Sequence, residues 1–423
     1  MKILFVADNF PPERNAQASR VYERACYWQR WGHEVTVITC FPNFPEGKIY
    51  SGYKNEIRSV STLDGIRVVR VKTFIAANIG KLLRIVDFLS YMYSAMFFGL
   101  FEKRPDVVVA TSPQFFAAIA GWWLSLVHRV PFVMELSDLW PDSIVAVGAM
   151  KKRLALHLLE KIELFLYRRA KRIVVLTYAF KRNLVSRGID TEKIDVVING
   201  VDLSRYAPQP RDPSLAKEFG IVPEHFVVGY IGTLGMAHGL SNVLEAARQT
   251  TDPRIRFLLV GPGAERDRLI SDARQLRLTN VIIAPAQPKE RMPAVWSLCD
   301  VALVHLKNAE LFRTVIPSKI FEAMAMRLPI LLASPKGEAT EIVERESCGI
   351  IVSPENPKEL AAVALALAND RTKVHELATR SLQAAPKYSR ERQAREMLLS
   401  LQKAVSRLGR QHFLHTYEPT SNR

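Results

Sequence analysis

Residues 316–330 read Ile-Pro-Ser-Lys-Ile-Phe-Glu-Ala-Met-Ala-Met-Arg-Leu-Pro-Ile and predict a helix inside an alternating α/β layer. Pro317 suits the first helical position, where its missing N–H leaves no hydrogen bond unmade. Lys319 and Glu322 follow at a spacing that places them on one face of the opening turns. Apolar patterns typical of buried strands flank the helix on both sides. They cover residues 300–305 and 328–333.

The mouth of this helix is suited to an anionic ligand. Free N–H groups and the positive end of the helix dipole attract phosphate, and Lys319 adds a full charge. Glu322 can accept hydrogen bonds from a ribose diol. Together these residues predict a nucleoside diphosphate site. The alternative is an amphipathic helix whose lysine and glutamate only face water, and the flanking strands favour the site.

The same stretch resembles the nucleotide-sugar signature of glycosyltransferase family 4. Members of that family are retaining enzymes built from two Rossmann-like, doubly wound parallel-sheet domains that face a cleft, the GT-B fold. The resemblance covers nearly the whole chain. It points to the branch that builds bacterial O-antigen and capsule repeats, including N-acetyl-L-fucosamine transferases. One position departs from the pattern, because the family often has a glutamate eight residues before the ribose-binding glutamate, where this chain has Thr314.

Length and composition agree with a two-domain globular protein. The 423 residues are too many for one ordinary core and suit two domains. Hydrophobic residues make up 48% and charged residues 24%, which excludes a disordered chain. The net charge of +16 implies an anionic partner. Nucleic acid, an acidic membrane surface and a phosphorylated substrate all satisfy that requirement.

The cysteines and the apolar runs indicate a protein of a reducing compartment with no membrane span. The four cysteines lie apart in apolar segments, which argues against a zinc site or a disulfide framework. Only a five-residue apolar run precedes Asp8, so the N-terminus predicts a first strand and not a signal peptide. The longest uncharged apolar runs, residues 88–101 and 115–127, fall short of the roughly 20 residues that cross a bilayer.

Both halves of the chain alternate strand and helix patterns, as doubly wound parallel sheets require. The expected strands of the first half are 3–7, 35–39, 66–71, 106–111, 131–136, 172–177 and 195–198. Those of the second half are 226–232, 255–261, 280–284, 300–306, 328–334 and 349–353. The resemblance implies an acceptor-binding domain at 1–205, a nucleotide-sugar-binding domain at 206–385 and, at 386–423, a helix returning to the first domain plus a poorly ordered tail.

Two segments of the first domain lie at the edge where open α/β sheets bind ligands. In the loop 9–19 the family usually has paired glycines facing the donor diphosphate, and here Asn15, Ala16 and Gln17 stand in that place. The second segment, 135–142, contains Asp138 where the family often has a His-Asp pair. Asp138 is the predicted acceptor-contacting carboxylate, with loop capping as the alternative.

In the second domain, the turn after the first strand contains the remaining candidate phosphate ligands. Gly232, Thr233 and Gly235 allow the backbone to approach a phosphate, and His238 is either a phosphate donor or a structural turn residue. Many family members place an Arg and a Lys at this turn, and this chain has neither. We therefore expect Lys319, assisted by Arg313, to supply the positive charge. The resemblance also implies a donor-binding role for further residues. These are Gly261, Gln287, Ile316, Pro317 and Ser318.

Two basic segments of the first domain raise the question of a membrane surface. The segment 81–101 starts basic and becomes aromatic, which fits either a core helix or a helix lying in the headgroup region. The segment 151–182 contains ten Lys or Arg against two acids, which fits either an anionic membrane or a solvated helix face.

The reaction implied is metal-independent, retaining transfer of a sugar from a nucleoside diphosphate donor, with UDP expected, to a polyprenyl-diphosphate-linked acceptor. We expect an N-acetylated amino or deoxyamino sugar as the transferred group, no cofactor, and a cytoplasmic protein bound peripherally to the inner membrane. A nucleotide-sugar 2-epimerase of the same fold is the second hypothesis. The third is a non-catalytic membrane- or nucleic-acid-binding relative, and the absence of a recognised binding motif argues against nucleic acid.

Overall fold

The computed structural model describes residues 1–13, 15–44, 46–75, 81–112, 115–139 and 153–406. Within them the chain forms two parallel α/β sheets, as the strand patterns predicted. The first sheet has the order β3-β4-β2-β1-β5-β6-β7-β8. Its strands are β1 Lys2–Val6, β2 Glu34–Cys40, β3 Arg58–Leu63, β4 Ile66–Val71, β5 Val107–Thr111, β6 Phe132–Leu136, β7 Arg172–Val175 and β8 Ile194–Val196.

The second sheet has the order β11-β10-β9-β12-β13-β14, and the pairs between neighbouring strands are parallel. Its strands are β9 Phe226–Ile231, β10 Ile255–Val260, β11 Val281–Ala284, β12 Val301–His305, β13 Ile330–Ala333 and β14 Gly349–Val352. The chain moves outward from β9 to β11 and then returns to the other side of β9 at β12. The crevice between the carboxyl ends of β9 and β12 is therefore the topological switch point, where such sheets bind ligands.

Helices cover both sheets. In the first half they are α1 Ala16–Arg30, α2 Lys81–Gly99, α3 Phe115–His128, α4 Arg153–Arg169 and α5 Tyr178–Ser186. The second half has α6 Pro213–Glu218, α7 Ser241–Gln249, α8 Arg266–Gln275, α9 Met292–Ser297, α10 Lys319–Ala325, α11 Glu338–Glu346, α12 Pro357–Asn369, α13 Arg371–Ala384 and α14 Arg390–Val405.

The strands are recognisable in the sequence because both of their faces are buried. All five residues of β5 and all six of β9 are buried, so they read as continuous apolar runs. On one face of the first sheet lies a core shared with α2 to α5, and on the other a core shared with α1 and α14.

One strand was missed by the sequence patterns. β3 pairs antiparallel with β4 at the edge of the first sheet and is largely solvent-exposed, so it lacks the apolar run that marks its neighbours. The turn between them is Asp64-Gly65, with φ of 50° and 80°. Asp-Gly with both residues at positive φ is a hairpin turn, and that dipeptide was the available signal.

The last helix joins the two halves of the chain, as predicted. α14 packs on α1, and the Trp28 indole Nε1 donates a 2.9 Å hydrogen bond to the Ala394 carbonyl. Val201 forms a bridge with Ser389 just before α14 begins. The predicted tail beyond residue 409 lies outside the described residues. Within the described part of the chain, the helices are too short or too polar to pass through a lipid bilayer.

Candidate active site

Lys319 lies at the switch point of the second sheet with its charge unneutralised. The residue is 8% exposed, and its Nζ lies 3.3 Å from the centroid of the Tyr230 ring in β9. Among the described residues Nζ has no hydrogen-bond partner. Burial lowers the pKa of Lys319 to about 7, although the Glu322 carboxylate acts in the opposite direction. The site thus holds a desolvated amine whose positive form is stabilised by the aromatic face of Tyr230 and by the charge of Glu322.

The helix that contains Lys319 begins later than expected. α10 runs over seven residues from Lys319, so Pro317 lies before it and not at its first position. The Pro317 and Ser318 carbonyls accept hydrogen bonds from the N–H groups three residues on, which makes a tight turn in place of the first helical turn. Since α10 is short, the positive charge of the site comes chiefly from Lys319 itself.

Glu322 lies one turn further along α10 and is fixed by an aromatic residue. The Trp296 indole Nε1, from α9, donates a 3.0 Å hydrogen bond to Glu322 Oε2. Burial raises the pKa of Glu322, and Trp296, Lys319, Arg390 and Lys289 oppose that rise. Glu322 is therefore within electrostatic reach of Arg390 and Lys289, two residues that pair with Glu23 of the first domain. Its carboxylate lies on the side of the second domain that faces the first.

Sequence patterns did not identify Tyr230 and Trp296. Both residues are fully buried aromatic side chains on elements remote in sequence from α10. A buried aromatic residue normally indicates only core packing, so the sequence contained no signal for their contacts with Lys319 and Glu322.

The glycine-rich turn after β9 lies against the lysine. A Cβ at Gly232 would lie 3.1 Å from Lys319 Nζ. Gly261, at the end of β10, packs so closely on this turn that a Cβ there would lie 2.0 Å from the Gly232 carbonyl oxygen. Its φ of 152° also favours glycine. The Thr233 carbonyl accepts a 2.8 Å hydrogen bond from the Tyr230 hydroxyl, which links the turn to the aromatic residue under the amine.

The geometry favours the structural role for His238. Its Nδ1 lies 3.3 Å from the His305 carbonyl and must donate to it, because a carbonyl only accepts. Burial, followed by the charge of Lys319, lowers the pKa of His238 to about 4. The neutral ring therefore has its proton on Nδ1 and an acceptor at Nε2. It cannot donate to a phosphate, so the phosphate-donor alternative for His238 requires an unfavourable second proton.

The remaining second-domain candidates lie around this centre. Arg313 is half exposed, and its Nε pairs with Glu310 at 3.0 Å. Gln287 accepts a 3.1 Å hydrogen bond from Arg291. Ile316 packs on the edge of the second-domain core, Gly235 precedes the short turn 236–238, and the Ser318 side chain makes no capping hydrogen bond. The guanidinium of Arg313 is thus held by an acid outside the buried centre.

In the first domain, the segment that replaces the family's glycines forms the start of α1. The Asn15 side chain caps the helix by accepting a 2.8 Å hydrogen bond from the Ala18 N–H, and Ala16 is the first helical residue. Gln17 Nε2 donates to Asp8 Oδ1 at 2.8 Å. These polar side chains therefore order the carboxyl edge of β1.

Asp138 follows β6 at the same edge and is half buried. Its neighbour Ser137 accepts a hydrogen bond from the guanidinium of Arg20 in α1. The rest of the predicted acceptor segment, from residue 140, lies outside the described residues.

A direct contact between the two domains was also not predicted. Glu338, the first residue of α11, accepts hydrogen bonds from the N–H groups of Tyr178 at 3.3 Å and Ala179 at 2.5 Å. Arg182 Nη2 lies 3.1 Å from the same carboxylate. A carboxylate of the second domain thus caps α5 of the first. Glu338 therefore bridges the two domains.

Comparison with known protein families agrees with this architecture. Residues 15–200 match the glycosyl transferase 4-like domain, and residues 212–387 match the glycosyl transferases group 1 family. The chain is a glycosyltransferase of the GT-B fold. The resemblance seen in the sequence is therefore confirmed at the level of family and fold.

Individual relatives of this glycosyltransferase are distant. The chain is 25% identical over 400 residues to the putative colanic acid biosynthesis glycosyl transferase WcaI of Escherichia coli, covering 90% of this chain and 96% of the relative. It is 27% identical to the probable glycosyltransferase WbjE of Pseudomonas aeruginosa, over 61% of this chain and 62% of the relative. The solved structure of Anabaena HepE with UDP and glucose superposes with a TM-score of 0.70 at 20% identity, covering 95% and 99% of the two chains.

Among the described residues there is no cluster of three or more His, Cys, Asp or Glu side chains arranged to hold a metal ion. Within the described part of the glycosyltransferase, Lys319 provides positive charge at the switch point.

The burial of Lys319 predicts a pH-dependent stability difference. Below pH 7 the folded protein holds a buried charged amine, whereas between pH 7 and the ordinary pKa of 10.5 the unfolded chain binds a proton that the folded chain has lost. Lys319→Met should therefore unfold at a higher temperature than wild type below pH 7, and the gap should close as pH rises to 10.5. Thermal denaturation at a series of pH values measures this difference in melting temperature.

Lys336→Met is the matched control, because Lys336 is exposed. Its melting temperature should follow that of wild type at every pH. A Lys319→Met gap that stays constant between pH 6 and pH 10 would contradict the depressed pKa of this amine.

Proposed function

We propose that this GT-B enzyme transfers a sugar from a nucleoside diphosphate donor to a hydroxyl of a lipid-linked acceptor, with retention of anomeric configuration. The observation that supports this function most strongly is the buried, unpartnered amine of Lys319 beside a glycine-rich turn. An amine that has lost its water and has no acid bonded to it is stabilised when an anion binds. A diphosphate supplies that anion.

Lys319 would act on the leaving group. Cleavage of the anomeric C–O bond leaves negative charge on the diphosphate, so a fixed cation stabilises the transition state more than the ground state. The low polarity around Lys319 strengthens the interaction. The bound diphosphate would in turn raise the pKa of the amine above about 7 and keep it charged.

Glu322 is the proposed ribose ligand. Trp296 occupies one lone pair of one oxygen, and a carboxylate can accept about four hydrogen bonds, so capacity remains for a vicinal diol. The charges of Arg390 and Lys289 favour the ionised form that accepts such bonds. We propose UDP as the nucleotide, which agrees with the UDP in the Anabaena structure. An N-acetylated amino or deoxyamino sugar remains our prediction for the transferred group.

The acceptor would bind at the edge of the first domain near Asp138. In the mechanism that the family resemblance implies, the leaving phosphate takes the acceptor proton and the transfer occurs on one face of the sugar. Asp138 then orients the acceptor hydroxyl and does not have to act as a base at neutral pH. The names of WcaI and WbjE support an acceptor from polysaccharide biosynthesis.

An exposed aromatic surface on and just after α2 supports a lipid-linked acceptor. Tyr93 and Phe97 of α2, and Phe101 two residues past its end, follow one another at four-residue intervals and are 64%, 56% and 66% exposed. Leu83 and Val86 extend the same exposed stripe toward the start of α2. Exposed aromatic residues in a row suit the headgroup region of a bilayer better than water.

Basic residues lie on α2 and in the segments next to its C-terminal end. They are Arg84 on α2, Lys103 and Arg104 just after it, and Arg129 at the end of α3. The two helix ends are joined, because His128 Nε2 donates to the Gly99 carbonyl at 3.0 Å and Arg104 donates to the His128 carbonyl at 3.0 Å. We propose that this surface rests on the anionic inner face of the membrane. Residues 151–153, at the start of the basic segment 151–182, lie outside the part of the chain whose side chains are described.

Lys319→Ala provides the test of the donor site. With UDP-sugars and a lipid-linked saccharide acceptor, we expect acceptor-dependent release of UDP by wild type. The variant should lose at least about 100-fold in kcat, because one electrostatic contact to the leaving group is removed. Lys336→Ala, which removes an exposed amine, should retain wild-type kcat. Equal turnover in wild type and Lys319→Ala would contradict the proposed role.

Vesicle sedimentation tests the membrane surface. Replacing both Phe97 and Phe101 with serine should reduce binding to vesicles containing anionic lipid several-fold, because the apolar area available to the headgroup region is lost. Leu276→Ser, at an exposed apolar position just after α8 in the second domain, is the control and should bind as wild type does. Undiminished vesicle binding by the double variant would contradict the proposal that α2 contacts the membrane.

A further inference from the structure

A second set of buried charges lies across the crevice, in the first domain. Arg20 and Arg24 of α1 converge on one carboxylate, Glu135 of β6. Arg24 Nη2 lies 2.7 Å from each oxygen of Glu135, and Arg20 Nε lies 3.1 Å from one of them. Glu135 and Arg24 are fully buried and Arg20 is 4% exposed. Two guanidinium groups therefore share a single negative charge without bulk water.

The neighbouring carboxylate is shared in the same way. Glu23, also on α1, pairs with Arg390 at 2.8 Å and with Lys289 of the second domain at 3.2 Å. After burial, the charges of Arg24 and Arg390 help to lower the pKa of Arg20, and the charge of Arg24 helps to lower that of Arg390. Among these described residues four cations face Glu135, Glu23 and, from the second domain, Glu322, so positive charge is in surplus by one.

The surplus is concentrated on Arg20. Arg24 Nη2 contacts both oxygens of Glu135. Arg20 contacts only one of these oxygens, through Nε, and its Nη2 donates to the Ser137 hydroxyl. Burial lowers the pKa of Arg20 to about 10, and the Glu135 charge only partly opposes that fall. Burying a charge without full compensation is costly, so an anion next to Arg20 would stabilise the fold.

Arg20 is buried, but the Ser137 hydroxyl that accepts its hydrogen bond lies at the edge of the crevice. Ser137 is half exposed and directly follows β6 at the carboxyl edge of the sheet. The Thr111 hydroxyl, at the end of β5, lies 3.5 Å from the Ser137 hydroxyl. The Arg20 guanidinium and the Ser137 hydroxyl thus meet at the edge of the crevice next to Asp138, whereas the buried Thr111 hydroxyl donates to the Ser112 carbonyl. Guanidinium and hydroxyl groups are the side chains that hold phosphate oxygens by directed hydrogen bonds.

We propose that Arg20 binds a phosphate group of the acceptor, in a site separate from the one around Lys319. The inference rests on the proposed function, because it assumes an acceptor that bears phosphate. The acceptor is favoured over the donor as the source, since Lys319 serves the donor diphosphate in the other domain and Arg20 adjoins the Ser137–Asp138 edge. The acceptor phosphate and the acceptor hydroxyl would then be held by adjacent residues, which fixes the distance between them.

Kinetics with two acceptors test this site. One acceptor has its saccharide on a lipid diphosphate, and the other has the same saccharide on an uncharged alkyl chain. Arg20→Gln should raise KM for the diphosphate acceptor at least about 10-fold, the range for losing one charged hydrogen bond. The KM values for the uncharged acceptor and for the donor should stay within about twofold of wild type. Arg30→Gln, on an exposed arginine of the same helix, is the matched control and should change neither.

Fold retention is expected in Arg20→Gln, because Arg24 still neutralises Glu135. Arg20→Lys is the companion variant, which preserves the charge and loses the planar fork, and its KM should fall between those of wild type and Arg20→Gln. An equal rise in KM for both acceptors would show a structural role and overturn the proposal. A rise in the donor KM alone would assign Arg20 to the donor and also overturn it.

Inorganic pyrophosphate provides a readout that does not require turnover. With UDP at saturation to occupy the Lys319 site, pyrophosphate should raise the melting temperature of wild type and of Arg30→Gln, and should not raise that of Arg20→Gln. Equal stabilisation of all three proteins would refute the site. If wild type transfers to no phosphate-bearing acceptor while this stabilisation still depends on Arg20, the proposed function fails and the anion site stands.

Discussion

The burial of one amine without a bonded anion is the constraint on which the rest of the site depends. Lys319 lies against the Tyr230 ring, and its burial lowers the pKa to about 7. Gly232 leaves room for the amine, and Gly261 lets the turn pack where a side chain would collide with it. Such a site is costly when empty and is stabilised by a ligand that brings negative charge. A nucleoside diphosphate meets that requirement, and its departure during sugar transfer increases the charge to be stabilised.

The first domain completes the site through charges that cross the crevice. Glu338 caps α5, and Lys289 of the second domain pairs with Glu23 on α1. These contacts involve backbone N–H groups and charged side chains. Arg390 and Lys289, which pair with Glu23 across the crevice, are also close enough to Glu322 to influence its pKa. The proposed ribose ligand is therefore electrostatically coupled to the relative position of the two domains.

Much of the fold, and part of the site, was predictable from the sequence. Buried parallel strands such as β5 and β9 are apolar on both faces and so are visible without an alignment, whereas the exposed edge strand β3 is not. The pairing of Lys319 with a glycine turn was predictable because both belong to a recognisable pattern. The ion pair of Arg24 with Glu135 joins residues 111 positions apart, and no local spacing encodes it. His238 matched a phosphate-binding position, and only its bond to the His305 carbonyl showed how its proton is placed.

The state of the Lys319 amine can be measured directly by NMR titration of protein labelled with ¹⁵N at lysine Nζ. In the free protein its pKa should lie near 7, far below the ordinary value of 10.5, and saturating UDP should raise it by at least about one unit, a tenfold shift in the protonation equilibrium. A pKa near 10.5 in the free protein, or a depressed pKa that UDP leaves unchanged, would contradict the account of a buried cation held for a diphosphate.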